Sequence, residues 1–185
     1  MSLPIPPRLR RDQSVLLVVD VQEKLVPAMF EAERVTRGVS LLCRVAKQLD
    51  IPVVITEQNP QKLGKTVEAV HRVLDVFTPH EKMRFSACTD EVMHDLDLTN
   101  KGSVILCGLE AHVCVLQTAL DLVENGFTVF VAQDAVSSRY ESDKRAGLER
   151  MRSAGVVSSS VEMAIYELLG EAGTDDFRAL LPFVK

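Results

Sequence analysis

The stretch Ser14-Val15-Leu16-Leu17-Val18-Val19-Asp20 is apolar without a break until its last residue. A short unbroken apolar run is the pattern of a strand covered on both faces inside a parallel sheet. Strand one therefore ends at Asp20, and a carboxylate stands where the strand leaves the sheet.

Working outward from this strand, Val35, Leu42, Val45, Ala46 and Leu49 recur at helical spacing between Glu33 and Asp50, and Pro52 opens Val53-Val54-Ile55-Thr56 as a second strand. This is a βαβ unit. A shorter apolar patch, Val73 to Phe77, is the candidate third strand, followed by an irregular stretch from Thr78 to Ala87. Thr89 has the look of an N-cap for a helix over Asp90 to Leu98, and Gly102 precedes a fourth strand, Ser103 to Leu109. A helix from about His112 to Asn125 ends at Gly126 and feeds a fifth strand, Phe127 to Ala132. Another helix, about Ser142 to Ser153, stops at Gly155 before a short sixth strand at Val156-Val157. Ser159 with Glu162 forms a capping-box pattern ahead of Val161, Ala164, Ile165 and Leu168, and one more short helix is expected in the tail. Strands alternating with helices predict a single α/β domain over 1–185: a three-layer, Rossmann-like fold with helices on both faces of a mostly parallel six-stranded sheet, in the order 3-2-1-4-5-6.

Composition narrows the function. With 46% hydrophobic and 25% charged residues the chain is an ordinary globular one, and its formal net charge of −5 offers no footprint for a polyanion. A small-molecule substrate is expected, with no nucleic acid partner. No apolar run approaches the roughly 20 residues needed to cross a bilayer, so no membrane association is expected. Pro4, Pro6 and Pro7 stand where a signal peptide would be apolar, and Arg8, Arg10 and Arg11 read as a solvated tail; a cytoplasmic location is the expectation. Cys43, Cys88, Cys107 and Cys114 lack paired short spacings, so free thiols are expected.

In an open parallel sheet ligands bind beyond the carboxyl ends of the strands, near the reversal of strand order. Asp20 follows strand one, Glu57 to Asn59 strand two, Lys82 the third, Glu110 to Cys114 strand four and Asp134 strand five. Strands one and four are neighbours at the reversal, so Asp20 and Cys114 would face one crevice. Cys114 opens a helix whose apolar stripe reads as Val113, Leu116, Leu120 and Val123, and it aligns instead with Gln117, Thr118 and Asp121. A helix N-terminus can lower a thiol pKa from about 8.5 towards neutrality. A small residue packing its helix on the sheet would have the same spacing. Cys107 and Cys43 read as core fillers, whereas Cys88 also precedes a helix and rivals Cys114. Asp20 and Asp134 could each cap a turn, and Lys82 could be a surface charge.

Three motifs taken in order break this tie by resemblance: Leu17-Val-Val-Asp20-Val-Gln22, Lys82-Met-Arg-Phe85-Ser86-Ala87, and Gly108-Leu-Glu-Ala-His-Val-Cys114-Val115. They resemble the isochorismatase-like superfamily of cysteine hydrolases, which contains nicotinamidases, N-carbamoylsarcosine amidases and isochorismatases. The stretch Thr56-Glu57-Gln58-Asn59-Pro60, then Leu63-Gly64, with Glu110-Ala111-His112 before the cysteine, looks like the subgroup called isochorismatase domain-containing proteins.

The resemblance implies a catalytic triad of Asp20, Lys82 and Cys114, with the thiol attacking an amide-like or related acyl bond to give a thioester. It implies an oxyanion hole from the backbone N–H groups of Glu110 and Cys114, with a cis peptide between Leu109 and Glu110. Glu57, Gln58 and His112 are candidate substrate contacts. Nicotinamidases place an Asp and histidines after strand two to hold a metal; Glu57, Gln58 and Asn59 stand there here, so neither metal nor cofactor is expected. Family members are commonly homo-oligomers, and this chain is expected to be one. The competing readings are a catalytically silent or redox-sensing small-molecule-binding protein on the same fold. A dinucleotide-binding oxidoreductase is disfavoured, because no GxGxxG follows strand one.

Overall fold

The computed structural model describes residues 7–184. Six strands, β1 (Ser14–Val19), β2 (Val53–Gln58), β3 (His80–Lys82), β4 (Ser103–Leu109), β5 (Thr128–Ser137) and β6 (Val157–Ser159), form one parallel sheet in the order β3-β2-β1-β4-β5-β6. The helices are α1 (Ala32–Gln48), α2 (Pro60–Leu63), α3 (Glu68–His71), α4 (Asp90–Leu98), α5 (Cys114–Glu124), α6 (Glu141–Ser153), α7 (Val161–Leu169) and α8 (Asp175–Val184).

Every residue of β1 is buried. Leu16 and Val18 join the core formed with α1, α7 and α8, and Val15, Leu17 and Val19 join the core formed with α4, α5 and α6. Alternate side chains of one strand thus feed two cores, which is why the opening run carries no polar residue until the sheet ends. β1 and β4 pair from Ser14↔Ser103 to Val19↔Gly108, so the reversal of strand order lies directly beyond Val19 and Leu109.

Four local expectations are corrected. The third strand is not Val73 to Phe77 but His80–Lys82, paired with the end of β2 through Thr56↔His80, Glu57↔Glu81 and Gln58↔Lys82. It is an edge strand defined by pairing, whereas Val73, Leu74 and Phe77 pack on the core as loop. The fifth strand runs on to Ser137, with a register shift against β4 between Leu106 and Gly108 that sets Ala132 to Ala135 opposite Cys107 alone. The cap of α7 is Ser160, whose side chain accepts from Met163 N, and not Ser159. The buried side of α5 is Val115, Thr118, Ala119 and Leu122 together with Cys114 and Leu116, so the stripe read from hydropathy is rotated. Thr118 causes the error: its hydroxyl accepts from Ala87 N and donates to the Cys114 carbonyl, so a polar residue is buried at no hydrogen-bonding loss.

Two glycines allow the crevice to close up. Gly108 has φ +118, and a Cβ there would stand 2.0 Å from the Val19 carbonyl oxygen. On α6, a Cβ at Gly147 would fall 2.8 Å from the Ala111 carbonyl oxygen and 2.9 Å from the His112 Cα, so the helix backbone lies directly on the loop between β4 and α5.

Candidate active site

Asp20 leaves β1 with φ 52, the left-handed region that aspartate tolerates better than most residues. Its N–H is held by the Thr56 carbonyl at 3.1 Å, and its side chain is fully buried. One carboxylate oxygen accepts from Thr56 Oγ1 at 2.8 Å, and the other accepts from Lys82 Nζ at 2.6 Å. The Cys114 thiol, at the first position of α5, lies close enough to this carboxylate for each to shift the other's pKa. Asp20, Lys82 and Cys114 therefore come together, buried, beyond the carboxyl ends of the strands at the sheet's switch point.

Lys82 is the last residue of β3, and its side chain is fully buried. Besides Asp20, its ammonium donates to Gln58 Oε1 at 2.8 Å, Phe85 O at 3.0 Å and Arg84 O at 3.1 Å. An ammonium has three N–H bonds, and four acceptors surround them. The lysine is tied to the protein and leaves no free N–H for a ligand.

The electrostatics differ from what a helix N-terminus alone suggests. Burial, followed by the negative charge of Asp20, pushes the Cys114 thiol up to about 12, although Lys82 and the N–H of Glu110 pull the other way. Cys114 is 8% exposed, and its burial disfavours the thiolate. Burial also raises the Asp20 carboxyl above its usual range, against the lowering effects of Lys82, Thr56 and the thiol. Burial thus favours the proton-bearing form of both groups, and the Asp20 charge opposes ionisation of the thiol less than burial does.

The peptide between Leu109 and Glu110 is cis. The N–H of Glu110 lies near enough to the Cys114 sulfur to lower its pKa, and the N–H of Cys114 meets no acceptor among the described residues. Both donors lie beside the sulfur, where a developing oxyanion would sit.

The three candidate contacts diverge. Glu57 is buried, and one of its carboxylate oxygens accepts from Thr66 N at 2.7 Å and Thr66 Oγ1 at 2.8 Å, fastening the loop after α2. Gln58 reaches Lys82. His112 is partly exposed beside the loop and shares a hydrogen bond of 2.9 Å between its Nδ1 and Ser138 Oγ.

Neither rival carries this constellation. Cys88 Sγ donates to the Thr118 carbonyl at 3.7 Å, and burial pushes its thiol up to about 11. Asp134 accepts from Val161 N at 2.8 Å and so caps α7. Asp134 instead lines a cleft of about 840 Å³ between α1, α7 and α8, which contains none of Asp20, Lys82 and Cys114. Among the described residues no group of three or more His, Cys, Asp or Glu side chains is placed to hold a metal ion.

Two residues of the site escape sequence reasoning by chemistry. Thr56 closes an apolar strand and is fully buried, and Gln22, two residues after Asp20, is fully buried as well. A polar residue ending a run such as Val53-Val54-Ile55 is the signal that could have marked Thr56.

A domain model described as "Isochorismatase domain" matches residues 14–163. The chain belongs to the isochorismatase family. Within it, the chain is similar to the isochorismatase domain-containing subgroup: it is 37% identical over 174 residues to isochorismatase domain-containing protein 2 of Danio rerio, covering 94% of this chain and 87% of that one. It is 40% identical over 186 residues to the secreted isochorismatase effector Isc1 of Phytophthora sojae, covering 96% and 87%. A solved isochorismatase-fold structure, described as MAR1 ribonuclease from Caenorhabditis elegans, superposes with a TM-score of 0.92 at 35% identity, covering 96% and 92%. The chain thus has the fold of the isochorismatase-family hydrolases. No helix among the described residues is long and apolar enough to cross a membrane.

Proposed function

We propose that this chain is a cysteine hydrolase of one domain that cleaves an amide-like C–N bond or a related acyl bond of a small molecule. The observation that carries this reading is the sharing of one buried carboxylate, Asp20, between the Lys82 ammonium and the Cys114 thiol. In the reaction Asp20 takes the thiol proton as Cys114 Sγ bonds to the carbonyl carbon. The oxygen becomes an oxyanion that accepts from the N–H groups of Glu110 and Cys114. Collapse breaks the C–N bond, and the departing nitrogen takes the proton from Asp20, leaving a thioester on Cys114. Water then adds to the thioester, Asp20 accepts its proton, and expulsion of the thiolate, which regains that proton, yields the acid. Lys82 keeps Asp20 ionised at the start of each half-reaction.

The net charge of −5 speaks for small molecules over a polyanion as substrate. We carry over from the family the expectation of a homo-oligomer, and Glu57, Gln58 and Asn59, where nicotinamidases hold a metal, speak for a reaction without one. The test is a screen of small amides, ureides and carbamoyl compounds with Cys114→Ala as blank. Turnover by the parent chain alone, through a thioester trapped by mass spectrometry, is the expected result. Turnover by Cys114→Ala equal to the parent would end the proposal, and so would an adduct confined to Cys88.

A further inference from the structure

Lys82 has two lateral anchors, one from each of the neighbouring strands: Asp20 just beyond β1 and Gln58 at the end of β2. Its other two acceptors, the carbonyls of Arg84 and Phe85, belong to its own loop and follow wherever that loop goes. Gln58 is paired in register with Lys82 across β2 and β3. Its amide is oriented without ambiguity, because Nε2 donates to Met83 O at 2.9 Å while Oε1 faces the ammonium; the flipped amide would oppose donors to donors.

The backbone of Gln58 is fixed just as firmly. Gln58 N donates to Gln22 Oε1 at 2.8 Å, and Gln22 Nε2 donates to Gln58 O at 3.0 Å and to the carbonyl of Gly64. Gln22 lies two residues past Asp20, so the contacts close a ring: Asp20 leads along the chain to Gln22, Gln22 grips Gln58, Gln58 grips Lys82, and Lys82 returns to Asp20. A network buried at Asp20, Gln22 and Lys82, with its polar groups satisfied, specifies one geometry.

We infer that Gln58 is a positioning residue, which holds the Lys82 ammonium against Asp20 and thereby sets the pH at which Asp20 can take the Cys114 proton. The inference rests on the proposed roles of Asp20 and Cys114, and it replaces a substrate contact as the function of this side chain. The neutral amide matters. It offers the ammonium an acceptor without offering it a second counter-ion, so the lysine's charge acts undivided on Asp20.

The experiment follows the alkylation of Cys114 by iodoacetamide in the full chain as a function of pH, with the adduct located by peptide mass spectrometry. It needs no substrate. Asp20→Asn is expected to slow labelling at Cys114 about tenfold; wild-type labelling in that variant would defeat the Asp20 reading itself. Given a slowed Asp20→Asn, Gln58→Glu decides the inference. The near-isosteric carboxylate adds a like charge near Asp20 and competes for Lys82, so the acid limb of the Cys114 rate moves up by about one pH unit. Gln58→Leu removes the lateral anchor from β2 and leaves the ammonium to Asp20 and its own loop's carbonyls, so it moves the limb in the same direction by less. A limb unmoved in both variants overturns the inference. The limb position belongs to the folded molecules alone, because an unfolded cysteine alkylates along an ordinary thiol curve, so partial loss of folding does not imitate the effect.

Discussion

Lys82 Nζ stands 2.6 Å from Asp20 Oδ2 with both side chains wholly out of water. Removing either partner leaves a buried charge without its counter-charge. Asp20→Asn is expected to lower stability by about 3 kcal/mol in denaturant titrations and to abolish turnover. Lys82→Met removes the charge that opposes the effect of burial on Asp20, so the carboxyl holds its proton more tightly and turnover is expected to fall by at least about a hundredfold. An Asp20→Asn protein that still turns over substrate would show that another group takes the thiol proton.

The buried thiols give the chain an alkaline weakness. Burial pushes Cys43 and Cys114 up to about 12 and Cys88 up to about 11. Unfolded, each loses its proton near 8.5–9, so above that pH the folded chain holds more protons than the unfolded one, and stability falls as pH rises. Each retained thiol contributes a slope of about 1.4 kcal/mol per pH unit between its unfolded and folded values. Unfolding free energies measured from pH 9 to 11 should therefore fall less steeply in Cys43→Ala by about that amount. Parallel curves would mean that Cys43 ionises as readily folded as unfolded.

Asp134 separates a capping carboxylate from a chemical one. Its contact with Val161 N at the start of α7 is one that asparagine can also make. Asp134→Asn is expected to keep most of the parent kcat and stability, and Asp134→Ala to lose about 1 kcal/mol with kcat little changed. A collapse of kcat in the asparagine variant would move the base from Asp20 to Asp134.

Gly147 tests the loop from the outside. An added methyl would meet the Ala111 carbonyl oxygen at 2.8 Å and must displace the segment that presents the Glu110 and Cys114 N–H groups. Gly147→Ala is expected to cost about 1–3 kcal/mol of stability and, if those donors serve the oxyanion as proposed, to lower kcat more than it changes KM. An unaltered kcat in folded protein would remove that loop from the chemistry.

The strand order and the meeting of Asp20 with Cys114 were legible because buried parallel strands leave unbroken apolar runs, here Ser14–Val19 and Ser103–Leu109. β3 was not, because an edge strand of His80, Glu81 and Lys82 is selected by backbone pairing with β2, and pairing leaves no hydropathy trace. Lys82 therefore came from motif resemblance, and its contact with Gln58 was invisible until the two strands lay in register. Cys114 was placed at the start of its helix, yet its surroundings were misread. Dipole reasoning points to a lowered thiol pKa, and burial beside a carboxylate outweighs that effect.

The hydroxyl of Thr118 holds the amide of Ala87 on one side and the carbonyl of Cys114 on the other. It works as a rivet between the segment after Lys82 and the helix that carries the sulfur. Any displacement of residues 83–88 therefore strains the first turn of α5, and on the proposed chemistry that segment and the reacting atom move together.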